Sequence, residues 1–265
     1  MTPDRKLQHT LEQLVRDQAD RILNPLFGET RAETKADGSI VTQADRSMQA
    51  QLRQALQAIA PDVVLLGEEM TVDEQHSVLQ SDSAYWCLDP VDGTNNFHHG
   101  VPLYSVSLAL VINRRVELGL VYDPVRQECF SALRGHGLMI NGKPVATADD
   151  VPQSLGKTLA CVDFKRLDIE RRQQLVARMP FKSQRNIGSC ALEWAWVAAG
   201  RIHLLLHGGE KIWDYAAGTL LVEEAGGVSS DFEGEAIFNH SLSPRPVVAA
   251  VNAGLYRQWF EQINA

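Results

Sequence analysis

The chain has 265 residues, of which 45% are hydrophobic and 22% charged. These ordinary globular values exclude a disordered chain and leave room for one large domain or two modest halves. Twenty-five Lys and Arg against 33 Asp and Glu give a net charge of −8 and a pI of about 5.5. That balance excludes a general nucleic-acid binder, whose footprint is basic, and on its face it also speaks against an anionic substrate.

Taken in chain order, Leu7, Leu11, Leu14 and Val15 recur at helical spacing, so a helix is expected over the first ~20 residues, stopping near Asn24-Pro25. Lys35 to Thr42 reads as a turn followed by a short extended segment. A second helix fits Gln43 to Ile59, with Met48, Leu52, Ala55 and Ile59 on one face. Val63 to Leu66 reads as a buried strand and Trp86 to Leu88 as a short one. Ser105 to Ile112 and Val116 to Tyr122 form an expected hairpin across Asn113-Arg114-Arg115, and Glu128 to Leu133 and Leu138 to Ile140 extend the strand run. In the second half, helices are expected at Ile169 to Met179, Ala191 to Ala199, Asp214 to Ala225 and Leu255 to Ile263. Strands are expected at Arg201 to Leu206 and Val247 to Val251. That order predicts mixed sheets layered with helices, an α/β (α+β) fold with its boundary near residues 137–150. The expected halves are 1–140 and 141–265, packed as one compact unit.

Cys87, Cys129, Cys161 and Cys190 lack the close spacing of a zinc or redox site and read as reduced thiols in a cytoplasmic protein. The polar start lacks the core of a signal peptide, and no apolar run approaches the ~18 residues of a membrane helix.

The informative stretch is Asp89-Pro90-Val91-Asp92-Gly93-Thr94-Asn95-Asn96-Phe97, delivered by an apolar strand. Two carboxylates three positions apart at a tight Asp-Gly turn converge on one point, and a helix opening near Thr94 presents free N–H groups suited to a phosphate. Oxygen-only ligands select a hard cation, and carboxylates with substrate phosphate are the usual way of holding Mg²⁺. Gly67-Glu68-Glu69 places acids at the end of a second apolar strand. Trp213-Asp214 places another at the start of an apolar helix, where a capping role is the plain alternative.

Together these segments resemble the inositol monophosphatase family of Mg²⁺-dependent, Li⁺-sensitive phosphomonoesterases. Val41-Thr42 with Ala44-Asp45, Gly188-Ser189 with Ala191, Ala217-Gly218, and Glu224-Ala225-Gly226-Gly227 add to the resemblance, which spans residues ~35 to ~227 in the family's order. It implies a layered α/β/α/β/α sandwich and often a homodimer. By matched position it implies that Glu68, Asp89 and the Val91 carbonyl hold one metal, and that Asp89, Asp92 and Asp214 share a second. A third ion near Glu68 brings the expected Mg²⁺ to two or three. Gly93 and Thr94 would cradle the phosphate, and Asp45 would orient the Thr94 hydroxyl toward the attacking water, with no covalent intermediate. The rival aspartyl-phosphate mechanism of haloacid dehalogenases needs Asp-x-Asp, which Asp89 and Asp92 do not form. In a third role, Asp92, Gly188, Ser189, Cys190 and Asp214 would line the alcohol side of the pocket.

In the family's inositol-specific members an acid seven residues before the Trp-Asp aspartate binds substrate hydroxyls; here that position is His207, which cannot accept two hydroxyl hydrogens as a carboxylate does. His207 to Lys211 reads as a polar, glycine-rich loop, with Glu210 able to swing in for the acid and Lys211 or Arg185 able to meet a second anionic group. His98 and His99 read as loop residues. Inositol monophosphate leads as substrate, with 3′-phosphoadenosine 5′-phosphate, fructose 1,6-bisphosphate and histidinol phosphate as alternatives. A regulatory binding partner is the alternative of another class. The expected partners exclude membranes and nucleic acid in general.

Overall fold

The structure is a computed structural model that describes residues 2–35, 38–145 and 151–265. Among them, helix α1 (Arg5–Ile22) is capped by Asp4, whose carboxylate accepts the Leu7 N–H at 2.8 Å. It ends where Pro25 enforces a short 3₁₀ turn over Asn24–Leu26. Strands β1 (Ala32–Thr34) and β2 (Ile40–Thr42) form a small antiparallel ribbon. Ala36 and Asp37, within the expected turn, lie outside the described residues. Helix α2 (Gln43–Ile59) starts with a capping box in which Thr42 and Asp45 satisfy each other's backbone and side-chain groups.

A seven-stranded sheet follows in simple order from β3 (Val64–Gly67) and β4 (Tyr85–Asp92), which are parallel, with helix α3 (Val72–Gln80) between them. The helix α4 (Thr94–His98) leads to β5 (Ser105–Ile112), β6 (Arg115–Asp123), β7 (Glu128–Leu133), β8 (Leu138–Ile140) and β9 (Lys143–Pro144), all antiparallel to their neighbours. Asn113 and Arg114 turn the β5–β6 hairpin with φ of 51° and 60°, the left-handed geometry that matches strand twist.

The second sheet has the order β11-β10-β12-β14-β13. Its strands are β10 (Leu159–Asp163), β11 (Ser183–Arg185), β12 (Leu204–Glu210), β13 (Val228–Ser230) and β14 (Arg245–Ala250). Helices α5 (Ile169–Arg178), α6 (Cys190–Ala198), α7 (Ile212–Glu224) and α8 (Ala253–Ile263) complete the chain. The expected boundary at 137–150 falls partly on residues 146–150, outside the described residues.

The central strands are buried on both faces, and the side to which alternate residues pack defines the layers. Leu88, Leu108, Leu118 and Leu120 pack with α1 and α2, whereas Cys87, Ala109, Val121 and Phe130 pack with α6 and α7. Across α6 and α7 lie Cys161, Leu205 and Val247 of the second sheet, and its other face, with Val162, Leu206 and Val248, packs on Leu175, Leu255 and Trp259 of the outer helices. The fold is therefore an α/β/α/β/α sandwich. Because α6 and α7 are enclosed by sheets, they are apolar nearly all round.

Three expectations are corrected. Strand β4 does not stop at Leu88 but runs through Asp92, because a register irregularity between Asp89 and Asp92 accommodates Pro90, which a regular central strand rejects. Strand β12 starts later than Arg201 and continues to Glu210 through a similar irregularity after His207. The segment at His207 is therefore not a loop. Its Gly208 is required: a Cβ there would lie 1.9 Å from the Arg166 carbonyl oxygen. Asp214 is the third residue of α7 rather than its cap; it closes the helix start by accepting the Lys211 N–H at 2.8 Å.

All four cysteines are free, three of them buried and Cys190 half-buried. Among the described residues, no helix is long and apolar enough to cross a membrane.

Candidate active site

The site forms where β4 ends. Asp89, Asp92 and Asp214 each offer a carboxylate oxygen within 4.8 Å of the others, and Asp89 and Asp92 are buried. Asp89 Oδ1 accepts the Val91 N–H at 3.0 Å, which turns the backbone after Pro90. Asp92 sits against the start of α6. It accepts from Ser105 Oγ at 3.1 Å, Cys190 N at 3.1 Å, Ala191 N at 2.8 Å, and from the Ser189 hydroxyl. Helix N-terminal N–H groups and a negative charge suit each other, so the second half of the chain clamps an acid from the first.

Burial pushes the Asp89 carboxyl well above the carboxylate range, and the charges of Glu68, Asp92 and Asp214 push it further. Asp214 rises for the same reasons, burial first and then Asp92. Burial also raises Asp92, against the pull of its four donors. Among the described residues these three acids form no direct ion pair, Lys211 easing only Asp214, and their oxygen-only donor set fits a hard divalent ion.

Glu68 stands outside this trio. Its Oε1 lies 2.8 Å from Lys35 Nζ, which also reaches Glu69 Oε1 at 2.5 Å. Burial raises Glu68 to about 7 in spite of Lys35. The turn carrying it is held from two helices: Gln49 Oε1 accepts the Glu69 N–H, and Gln75 Nε2 donates to the Gly67 and Glu68 carbonyls. Nothing in the sequence pattern announced the Lys35 contact, since 33 residues separate the partners.

Thr94 opens α4, and its hydroxyl lies 3.0 Å from both Asp45 Oδ1 and the Val91 carbonyl. Asp45 is fully buried, and its other oxygen accepts both Thr42 N and Thr42 Oγ1. Burial raises its carboxyl while these bonds oppose the rise. Gly93 precedes Thr94 with φ of +90°; a Cβ there would lie 3.1 Å from Gly188 O, Leu103 O and Ser189 Cβ. Asn96 ties the same junction by donating to Leu103 O and Ile187 O.

The other singled-out residues fall as follows. His207 is buried and pairs with Asp163, not with the acidic trio. Glu210 does not swing: it is fully buried, and its Oε2 accepts Trp194 Nε1 at 2.7 Å. Arg185 is turned onto its own strand, bonding Ser183 Oγ and Gln184 O. His98 is the last residue of α4 rather than a loop residue, and its Nδ1 lies 2.8 Å from Thr30 O. Ser105, Lys35 and Asp163 were missed, because a lone polar residue in or beside a strand carries no local signal.

The sequence model of the Inositol monophosphatase family matches residues 2–265. A fructose-1,6-bisphosphatase/inositol-1-monophosphatase of Thermotoga maritima is 34% identical over 80% of this chain and 82% of its own. A protein named Nus factor SuhB of Pasteurella multocida is 35% identical over 76% and 74%. The crystal structure of an IMPase/NADP phosphatase complexed with Mg²⁺ and phosphate superposes with a TM-score of 0.82 at 26% identity, covering 97% of this chain and 96% of that one. The chain belongs to the inositol monophosphatase family and is a phosphomonoesterase.

Proposed function

We propose that the enzyme is a Mg²⁺-dependent phosphatase of small phosphorylated alcohols, with inositol monophosphate as its leading substrate. The observation that carries this reading is the buried convergence of Asp89, Asp92 and Asp214. These three, with Glu68 and the Val91 carbonyl, would hold two or three divalent ions. When bound, such ions lower the pKa of water and stabilise charge on the attacking and leaving oxygens.

The chain's own groups do the rest. The N–H groups at Gly93 and Thr94, left free of intrahelical partners at the start of α4, bind phosphate oxygens. Asp45 fixes the Thr94 hydroxyl, which orients the attacking water in line with the phosphorus. Glu68, beside the bound ions, would position that water together with the Thr94–Asp45 pair. Ser189 and Cys190 line the alcohol side, and Asp92 is held there by the start of α6.

The test is phosphate release with Mg²⁺ from inositol 1-phosphate, fructose 1,6-bisphosphate, 3′-phosphoadenosine 5′-phosphate and histidinol phosphate, with Li⁺ inhibition measured alongside. A preference above about 100-fold for another ester, ~2.7 kcal/mol in transition-state binding, removes the inositol assignment. Hydrolysis of none of them removes the whole reading. The relative named a Nus factor supports a second reading, a role as a binding partner. A partner recovered equally by wild type and by Asp89→Asn favours that reading; dependence on an intact acid trio counts against it.

A further inference from the structure

The alcohol side of the site is built from three strand ends. β10 is parallel to both β11 and β12, so their carboxyl ends lie at one edge of the sheet, the place where open α/β sheets receive ligands. This edge runs straight into the acidic centre. Beyond Arg185 the chain reaches Ser189 and the start of α6, which hold Asp92. Beyond Glu210 it reaches Asp214. His207, the register partner of Asp163, lies on the strand whose Glu210 accepts Trp194 Nε1, so this sheet edge packs against α6, whose start holds Asp92.

At this edge Asp163 and His207 are register partners. His207 Nδ1 accepts the Gly209 N–H at 3.1 Å, so the proton of the neutral ring sits on Nε2, 3.3 Å from Asp163 Oδ2. Both ring nitrogens are thereby used, and the His207 side chain is only 7% exposed. Asp163 is different. Its Oδ1 accepts Lys165 N at 2.8 Å and the Arg166 N–H also bonds the carboxylate, which still keeps acceptor capacity, and the side chain is 21% exposed. Burial raises the carboxyl, but hydrogen bonds from His207 and from the Lys165 and Arg166 N–H groups oppose it, and Asp163 stays below the usual range, hence ionised at neutral pH.

We propose that Asp163, oriented by His207, is the hydroxyl-accepting carboxylate of the alcohol half of the site and selects singly phosphorylated polyols. The acid missing at position 207 is supplied from the neighbouring strand. An ionised carboxylate at this edge accepts hydroxyl hydrogens and disfavours a second phosphate placed against it. The proposal rests on the phosphatase reading above. His207 acts through Asp163 and is a positioning residue.

The test compares inositol 1-phosphate with phenyl phosphate, whose leaving group carries no further hydroxyl. Asp163→Asn raises KM for inositol 1-phosphate at least tenfold, changes kcat less than threefold, and leaves both constants for phenyl phosphate within twofold. His207→Leu moves the same constant in the same direction, and His207→Gln, which keeps a donor, restores most of it. The proposal is overturned if either variant depresses both substrates together, if neither alters inositol 1-phosphate, or if wild type prefers fructose 1,6-bisphosphate. Wild-type turnover of phenyl phosphate with none of inositol 1-phosphate overturns it while leaving the phosphatase reading intact; turnover of neither removes that reading first.

Discussion

The two ends of the site are built in opposite ways. The phosphate end is local: Asp89 to Asn96 supply two acids, a left-handed glycine and a helix start within one stretch of chain. The alcohol end is composite, drawing Asp163, Ser189 and His207 from separate strand ends and a helix cap. The contiguous stretch is shaped mainly by its own backbone, with Asp92 clamped from α6 and Thr94 from Asp45, whereas the composite wall depends wholly on the packing of separate strands. On the proposed reading, the chemistry rests on the first end and the choice of alcohol on the second.

The largest effect expected from breaking the local end is at Asp89. Asp89→Asn lowers kcat/KM by about 10²–10³-fold. The same change raises the melting temperature of the metal-free protein at pH 8, because burial and acidic neighbours penalise the ionised carboxylate. Loss of activity with a fall in that temperature would contradict the electrostatic account. Next comes Thr94→Ala, expected to lower kcat about 10–100-fold with KM nearly unchanged. Asp45→Asn acts through the same hydroxyl, so the double variant should be no worse than the poorer single one.

Gly93→Ala sharpens the backbone side of the comparison. A Cβ at φ of +90°, facing three atoms at 3.1 Å, should cost about 1–3 kcal/mol in denaturant unfolding. The smallest effect is expected far from either end. Glu33→Gln breaks an exposed pair with Arg46 that solvent already screens, and the denaturation midpoint should not move.

The same contrast explains what the sequence disclosed. The bounds of helix α2 were legible, because an apolar stripe is a local signal, although the buried face runs through Ala44, Met48, Leu52 and Leu56 rather than Ala55 and Ile59. The β5–β6 hairpin and the acids of β4 were legible for the same reason. Strands β10, β11 and β13 were not anticipated: each is three to five residues long and is specified by distant partners rather than by its own pattern. Helix α3 escaped because it buries only Gln75 and shows little apolar periodicity. The polar, glycine-containing end of β12 imitated a loop, since a strand that bulges into a site loses its alternation. Acidic composition was misleading in one respect. Asp89, Asp92 and Asp214 disfavour an anion only until a cation joins them, and then the local sign inverts.

That inversion can be measured directly by thermal unfolding with and without Mg²⁺ at pH 5 and pH 8. Asp89, Asp214 and Glu68 all titrate higher in the folded protein than in the unfolded chain, where carboxylates titrate near 4. The metal-free native state therefore binds more protons than the unfolded chain above pH ~4, and its stability falls as pH rises through that window. On the proposed reading, Mg²⁺ replaces those protons. The account predicts a Mg²⁺-induced rise in melting temperature that is larger at pH 8 than at pH 5 and is absent in Asp89→Asn. A rise that is equal or smaller at pH 8, or one that survives in the variant, would contradict it.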